Sequence, residues 1–278
     1  MKKVIILFFV LFISGCVSAT SPKHYGLNNK VDEFKGTIEI SPSNVVGFTK
    51  TTKIKSKSIS NSKFNGTITI SEKIDIKEKE GKYILTSNSD AMEYVCEINK
   101  SDGSIIYGNL RRYEFEKLSI NNGFGSDYIE KSGKIDEYLP KSRNSLCGYF
   151  KNLFRSNRYE YWQDIYDFEN SLISRTEFDK EYLTNNKKIK NFKHDSKVIG
   201  VTKYKDKEAL VKGAYVSYSK VDPFSGLTLN YKVSIRGFSL VDISSGLVFK
   251  DNFNMKFNLN QFTKSVTVET DIKDIQYR

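Results

Sequence analysis

The chain is poor in the residues that carry most enzyme chemistry. It has two histidines among 278 residues, His24 and His194. An HExxH zinc site needs two histidines one helical turn apart, so that class is excluded. A Ser-His-Asp triad would have to use His194, which lies in a Lys/Asp-rich stretch that reads as a loop, and no GxSxG occurs. His24 reads as a solvated side chain. Ser-x-x-Lys is present at Ser60–Lys63 and Ser217–Lys220, without companion motifs, in a chain whose abundant Ser and Lys produce it by chance. Glu114 and Glu116 alternate on an expected strand and would work as an acid/base pair only inside a cleft. Gly123 and Gly125 lack the strand-to-helix spacing of a nucleotide fingerprint. The expectation is a non-enzyme with no metal and no cofactor; a hydrolase without a recognisable motif is the remote alternative.

Long apolar runs are also missing. The longest at the N-terminus, Val4–Ile13, is ten residues, whereas a spanning helix takes about 20. Four prolines and 17 glycines exclude a low-complexity or collagen-like chain, and 38% hydrophobic residues suffice for a core.

What is present begins with Lys2-Lys3, that short apolar run, and Ser14-Gly15-Cys16. A basic start, a short apolar core and a small-residue exit are the parts of a secretory signal. Ile13-Ser14-Gly15-Cys16 resembles the lipobox of bacterial lipoproteins. The resemblance covers residues 1–16 and implies cleavage before Cys16 and acylation of its thiol. One acyl chain holds a protein only marginally, at about 0.8 kcal/mol per buried methylene, and two or three anchor it durably. Val17, rather than Asp, follows the cysteine; by analogy with Gram-negative lipoproteins this implies the outer membrane, facing the periplasm.

Removing residues 1–15 leaves 263 residues and lowers the formal charge from +11 to +9 through loss of Lys2 and Lys3. In an envelope compartment such charge meets lipid phosphates or acidic surfaces rather than nucleic acid; coding bias toward Lys, Asn and Ile is the plain alternative. Three cysteines minus Cys16 leave Cys96 and Cys147, one possible disulfide in an oxidising compartment, worth roughly 2–4 kcal/mol; two buried thiols are the alternative.

The order along the chain reads as signal (1–15), lipidated Cys16 with a flexible tether (16–33), an N-terminal β region (34–140), a helical and aromatic insertion with a basic loop (141–190), and a C-terminal β region (191–278). Phe34–Ser41 recurs as Phe64–Ser71, both alternating after a glycine, which predicts two similar strands of one antiparallel sheet. Lys53, Lys55 and Lys57 share one strand face, as edge-strand guards do, with phosphate binding as the alternative. Further strands are predicted at 82–87, 93–98, 104–110 and 113–120, and after 190 at 209–217, 228–236, 238–243, 247–253 and 266–272. Ser101-Asp-Gly103, Asn121-Asn-Gly123, Asp222-Pro223 to Gly226 and Ser244-Ser-Gly246 supply turns. Phe253, Met255, Phe257 and Leu259 form one apolar face, for a core or for the inside of a half-barrel.

Between the β regions, Asn144 begins a helical spacing of Leu146, Tyr149, Phe150 and Leu153. A second runs through Trp162, Ile165, Tyr166, Leu172 and Ile173. This layer either packs on the sheet or presents Tyr159, Tyr161, Trp162 and Tyr166 to a partner. The fold expected is mainly β, an antiparallel curved sheet or partial barrel with a smaller helical/aromatic insertion; α+β is the alternative. The expected function is a membrane-anchored, non-catalytic binding or scaffold protein of the envelope. Its partners would be the bilayer through acylated Cys16 and another envelope protein or anionic lipid. A carrier or chaperone of apolar ligands, of half-barrel type, is the other class.

Overall fold

In the computed structural model the described residues are 21–58, 65–90, 92–115, 118–119, 123–124, 128–134, 147, 150, 152–165, 189–224, 227–260 and 262–278. The N-terminal strands are β1 (Thr37–Ile40), β2 (Val45–Ser58), β3 (Gly66–Lys79), β4 (Lys82–Asn88), β5 (Met92–Asn99) and β6 (Ile105–Phe115). Short pieces follow: β7 (Leu118–Ser119), β8 (Gly123–Phe124), β9 (Tyr128–Lys134) and β10 (Asn157–Glu160). The last five are long: β11 (Ile189–Tyr204), β12 (Lys207–Phe224), β13 (Leu227–Asp242), β14 (Val248–Leu259) and β15 (Phe262–Tyr277).

Eleven of these strands make one antiparallel sheet, in the order β11-β12-β13-β14-β15-β2-β3-β4-β5-β6-β9, curved and not closed into a barrel. The fold is therefore mainly antiparallel β, as the alternating pattern predicts. β15 lies beside β2, from Lys264↔Ser58 to Tyr277↔Val45, so the two β regions on either side of residues 141–190 share a single sheet. β1 pairs with β10 apart from it.

Period-2 alternation gives the sheet two faces. The inner face carries Phe48, Ile74, Leu85, Cys96, Leu210, Ile235 and Phe253, all 3% exposed or less. Phe150, Leu153 and Phe154 join one of its buried clusters, and Ile40 and Tyr159 join another over β11–β13. The outer face is polar over most of its area. At β11–β13 it holds an apolar cluster of Ile199, Ala209, Val211, Phe238 and Leu240 capped by Tyr25 and Leu27.

Several local expectations are corrected. The two similar segments fall in different sheets, since Thr37–Ile40 pairs with β10 and Gly66–Lys79 with β2 and β4. The strand with Lys53, Lys55 and Lys57 is internal, flanked by β15 and β3; its lysines mark an exposed face, and a face looks like an edge when only one strand is read. Segment 104–110 and the start of 113–120 run together in β6, which ends at Phe115 while Leu118–Ser119 is the separate strand β7, and 228–236 and 238–243 merge in β13. In β13 the lone Gly237 inside the alternating run ends no strand.

The largest difference is at 189–197, part of the Lys/Asp-rich stretch that reads as a loop. From Ile189 the supposed loop is part of β11, His194 included. Register shifts between Lys190 and Lys193 and between Val198 and Gly200 break the alternation, which hides the strand. Pairing with β12 holds it in place instead.

Of the expected insertion, residues 147, 150 and 152–165 are described, besides Ile189 and Lys190 of β11. Cys147 lies in a turn, Phe150 is helical, and residues 152–165 form a 3-10 turn at Asn152–Phe154, strand β10, and a turn at Tyr161-Trp162. Trp162 adopts φ 58 and Asp164 bridges to Lys197, so 161–165 is not the start of a helix. Leu146, Tyr149, Tyr166, Leu172 and Ile173 lie outside the described residues.

Candidate functional site

The paired cysteines come together. Cys96 on β5 and Cys147 are disulfide-bonded across 51 residues, with Cα atoms 5.5 Å apart and both residues fully buried. The bond ties the segment that follows to the inner face. The Phe154 ring stacks on Tyr83 at 4.3 Å, and Phe150 lies 6.3 Å from both Phe48 and Tyr94.

The predicted aromatic residues are distributed over both faces. Tyr159 is 9% exposed, and its hydroxyl accepts a hydrogen bond from Lys212 Nζ at 2.9 Å, the ammonium lying 4.5 Å from the ring centroid. Tyr161 is half-buried. Its hydroxyl donates to Glu33 at 3.1 Å, and burial followed by that carboxylate pushes its pKa up. Trp162 packs with the outer-face cluster of Tyr25 and Leu27. Its N–H donates to the Val198 carbonyl and the Val198 N–H donates to Gln163, so this turn covers part of the β11 edge and blunts it. Such pinning explains a left-handed conformation at a bulky residue. Tyr166 and Cys16 lie outside the described residues.

A polar row crosses the inner face, which spacing along any one strand does not reveal. Lys212, Ser239, Asp251, Thr270 and Thr52 stand opposite one another on β12, β13, β14, β15 and β2. Thr52 and Thr270 hydroxyls are 3.3 Å apart. One step along, Lys50 and Glu72 form an ion pair, 1% and 3% exposed, and Ser87 Oγ donates to the Glu72 carboxylate at 3.4 Å. Buried charge persists only when paired in this way. Lys50 neutralises Glu72, so the pair acts as a structural clasp.

Beyond the row the inner face is apolar again. Ala214, Val216, Ile235, Phe253, Met255 and Val268 are buried there, with Ile54, Phe192, Phe257 and Val266 packed against them at partial exposure. Every described member of this cluster belongs to a strand of the large sheet. Along β14 burial fades from Phe253 and Met255 to half-buried Phe257 and Leu259.

On the outer face residues 21–33 are seated, contrary to the loose tether expected for that stretch. Tyr25 is fully buried, and its ring lies where a Cβ at position 213 would come within 2.4 Å, so only Gly213 fits beneath it. Its hydroxyl donates to Asp195 at 2.7 Å; burial first, then that carboxylate, raises its pKa well above the usual phenol range. Asp32 and Val201 exchange backbone hydrogen bonds of 2.8 and 2.9 Å, and a Cβ at Gly200 would meet the Asp32 carbonyl at 2.5 Å. His24 lies half-buried, its ring 4.9 Å from Tyr215.

Next to this latch is an open depression of about 620 Å³, lined by His24, Lys193, Tyr215, Arg236, Asn254 and Lys256, among others. Asp195 at its side is engaged by Tyr25 and by Lys197 at 3.5 Å. The inner side holds a smaller pocket of about 20 Å³ between Ile40, Phe150, Tyr159 and Leu247, room for about one water. No family model and no curated protein matches the chain.

Proposed function

We propose that the chain is a lipid-anchored envelope protein with a non-catalytic binding role, held to the membrane by acylated Cys16 and, in a Gram-negative host, facing the periplasm from the outer membrane. The observation that carries this reading is the seating of residues 21–33 on the sheet, Tyr25 over Gly213 and Asp32 against Val201. A lipobox cysteine stands five positions ahead of that seat, so the folded body would ride close to its anchor. Its partners are the bilayer and another envelope component.

The test is chemical. Cys16→Ser removes the only nucleophile able to form the thioether. The expected result is palmitate label on the wild type and none on the variant, with wild type kept in membranes through a high-salt wash and released by detergent. A mature N-terminus downstream of an unmodified Cys16 would sink the reading.

A carrier of apolar ligands is the second reading, favoured by the strand-built apolar field from Val216 to Phe257 and its fading burial along β14. An environment-sensitive acyl probe should then bind in a manner abolished by Phe257→Asp. Indifference of the probe to that change removes this reading.

A further inference from the structure

On the side of the sheet opposite the polar row, the outer face is exposed and basic past the apolar cluster of β11–β13. Lys193, Lys232, Arg236, Lys256 and Lys57 are all exposed there, on β11, β13, β13, β14 and β2. Lys193, Ser217, Ser234, Lys256, Ser265 and Lys57 stand in one register row across six strands. With strands about 4.8 Å apart, that row is roughly 24 Å wide. Among the described residues, none of the five cations has an ion-pair partner. The two carboxylates on this part of the face are engaged: Asp195 by Tyr25 and Lys197, and Glu269 by Lys55 at 3.3 Å. Within the row the side chains between the cations are serines, Tyr215 stands beside Arg236, and Asn254 bonds sideways to Thr267 at 2.9 Å. This is a broad cationic surface with hydrogen-bonding groups between the charges.

Its position decides the partner. The latch of residues 22–27 sits on the same face, His24 lining the depression beside Lys193 and Arg236. From Cys16 to Ser21 the chain can extend at most about 18 Å, five residues at roughly 3.6 Å each. An acylated Cys16 therefore places this face, rather than the inner one, toward the bilayer. We infer that the outer face of β11–β15 and β2 lies against anionic phospholipid head groups of the membrane that holds the anchor, with Lys193, Arg236 and Lys256 contacting lipid phosphates. The inference rests on the anchor reading for its geometry; the charge complementarity is independent of it.

The test uses the mature chain from residue 16 onward carrying Cys16→Ser, so that no acyl chain contributes, and vesicles of phosphatidylethanolamine with phosphatidylglycerol against phosphatidylcholine alone. The expected result is co-sedimentation with the anionic vesicles only, lost in 0.5 M salt on the order expected from a Debye length near 3–5 Å. Lys193→Glu/Arg236→Glu/Lys256→Glu should lower the partition coefficient by about a hundredfold or more, since each cation near such a surface is worth about 1 kcal/mol. Lys73→Glu/Lys77→Glu/Lys79→Glu changes net charge equally at exposed positions of β3 and should leave most of the binding. Equal loss in both triple variants means net charge alone is at work and overturns the inference. Equal binding to both vesicles, or retention by heparin with no vesicle binding, overturns it too. The assay contains no acyl group, so its failure is distinct from failure to label Cys16.

Discussion

On the β2–β5 part of the inner face, Phe48, Tyr83 and Tyr94 are covered by Phe150 and Phe154, and a disulfide holds the cover down. On β12–β15, past the polar row, Val216, Ile235, Phe253 and Met255 are buried in a cluster whose described members all come from strands. The β11–β13 end is secured from the opposite side by Tyr25, through one hydroxyl and a glycine seat. One part of the sheet is thus closed covalently and the other by noncovalent contacts. Cross-linked cores resist opening; a face secured only by packing is where local opening costs least.

The largest effect is expected at the boundary between these regions. Removing one member of the Lys50–Glu72 pair strands a charge that is 1% exposed. Glu72→Ala should cost about 3–5 kcal/mol in urea unfolding, whereas Lys50→Met with Glu72→Leu should recover most of it. A single variant within 1 kcal/mol of wild type would show that water reaches the pair and that the row is no real divide.

Next comes the covalent side. Cys96→Ala with Cys147→Ala should cost about 2–4 kcal/mol, as expected for opening a loop of this length. Hydrogen exchange localises the loss: amides at Leu153 and Phe154 should lose protection while those of β13 and β14 keep theirs. Uniform loss would mean that the two regions open together, and the comparison above would fail.

How much of this was legible beforehand follows from what each strand can say alone. Alternation along Gly66–Lys79 or Val248–Leu259 announces a strand because one side is buried, and elimination left only one disulfide to predict. The polar row was not legible, since Lys212, Ser239, Asp251, Thr270 and Thr52 become a row only through register, which depends on turns and pairing. β11 was hidden by its two bulges. Tyr25 looks like tether in the sequence because its partner Gly213 is 188 positions away and no local pattern links them. Trp162 and Ile165 have helical spacing, yet the turn crosses a sheet edge where each residue meets a different neighbour. Of the cationic face a single strand shows only Lys53, Lys55 and Lys57, which look like an edge because the other half of the face is supplied by β11–β14.

The smallest effect expected is the most specific to the noncovalent side. Tyr25→Phe keeps the ring over Gly213 and removes only the hydrogen bond to Asp195, which retains Lys197. The neutral-pH cost should be about 1 kcal/mol, the net worth of one such bond. Its pH dependence separates it from a packing change. Burial and the adjacent carboxylate raise the Tyr25 pKa above its ordinary value of 10.0, so the fold holds the neutral phenol. Below about pH 10 both folded and unfolded chains keep the proton, and the hydrogen bond contributes fully. Above it the unfolded chain ionises while the folded one does not, so stability falls by up to about 1.4 kcal/mol per pH unit. Other tyrosines and lysines titrate in the same range, so the informative quantity is the difference between the two proteins. Thermal unfolding followed from pH 8 to 11 should show wild type losing its advantage over Tyr25→Phe as pH rises through 10, ending as the less stable of the two. Parallel curves would mean that Tyr25 is wetter than its seat implies, and that residues 21–33 hold the sheet through Asp32 and Val201 instead.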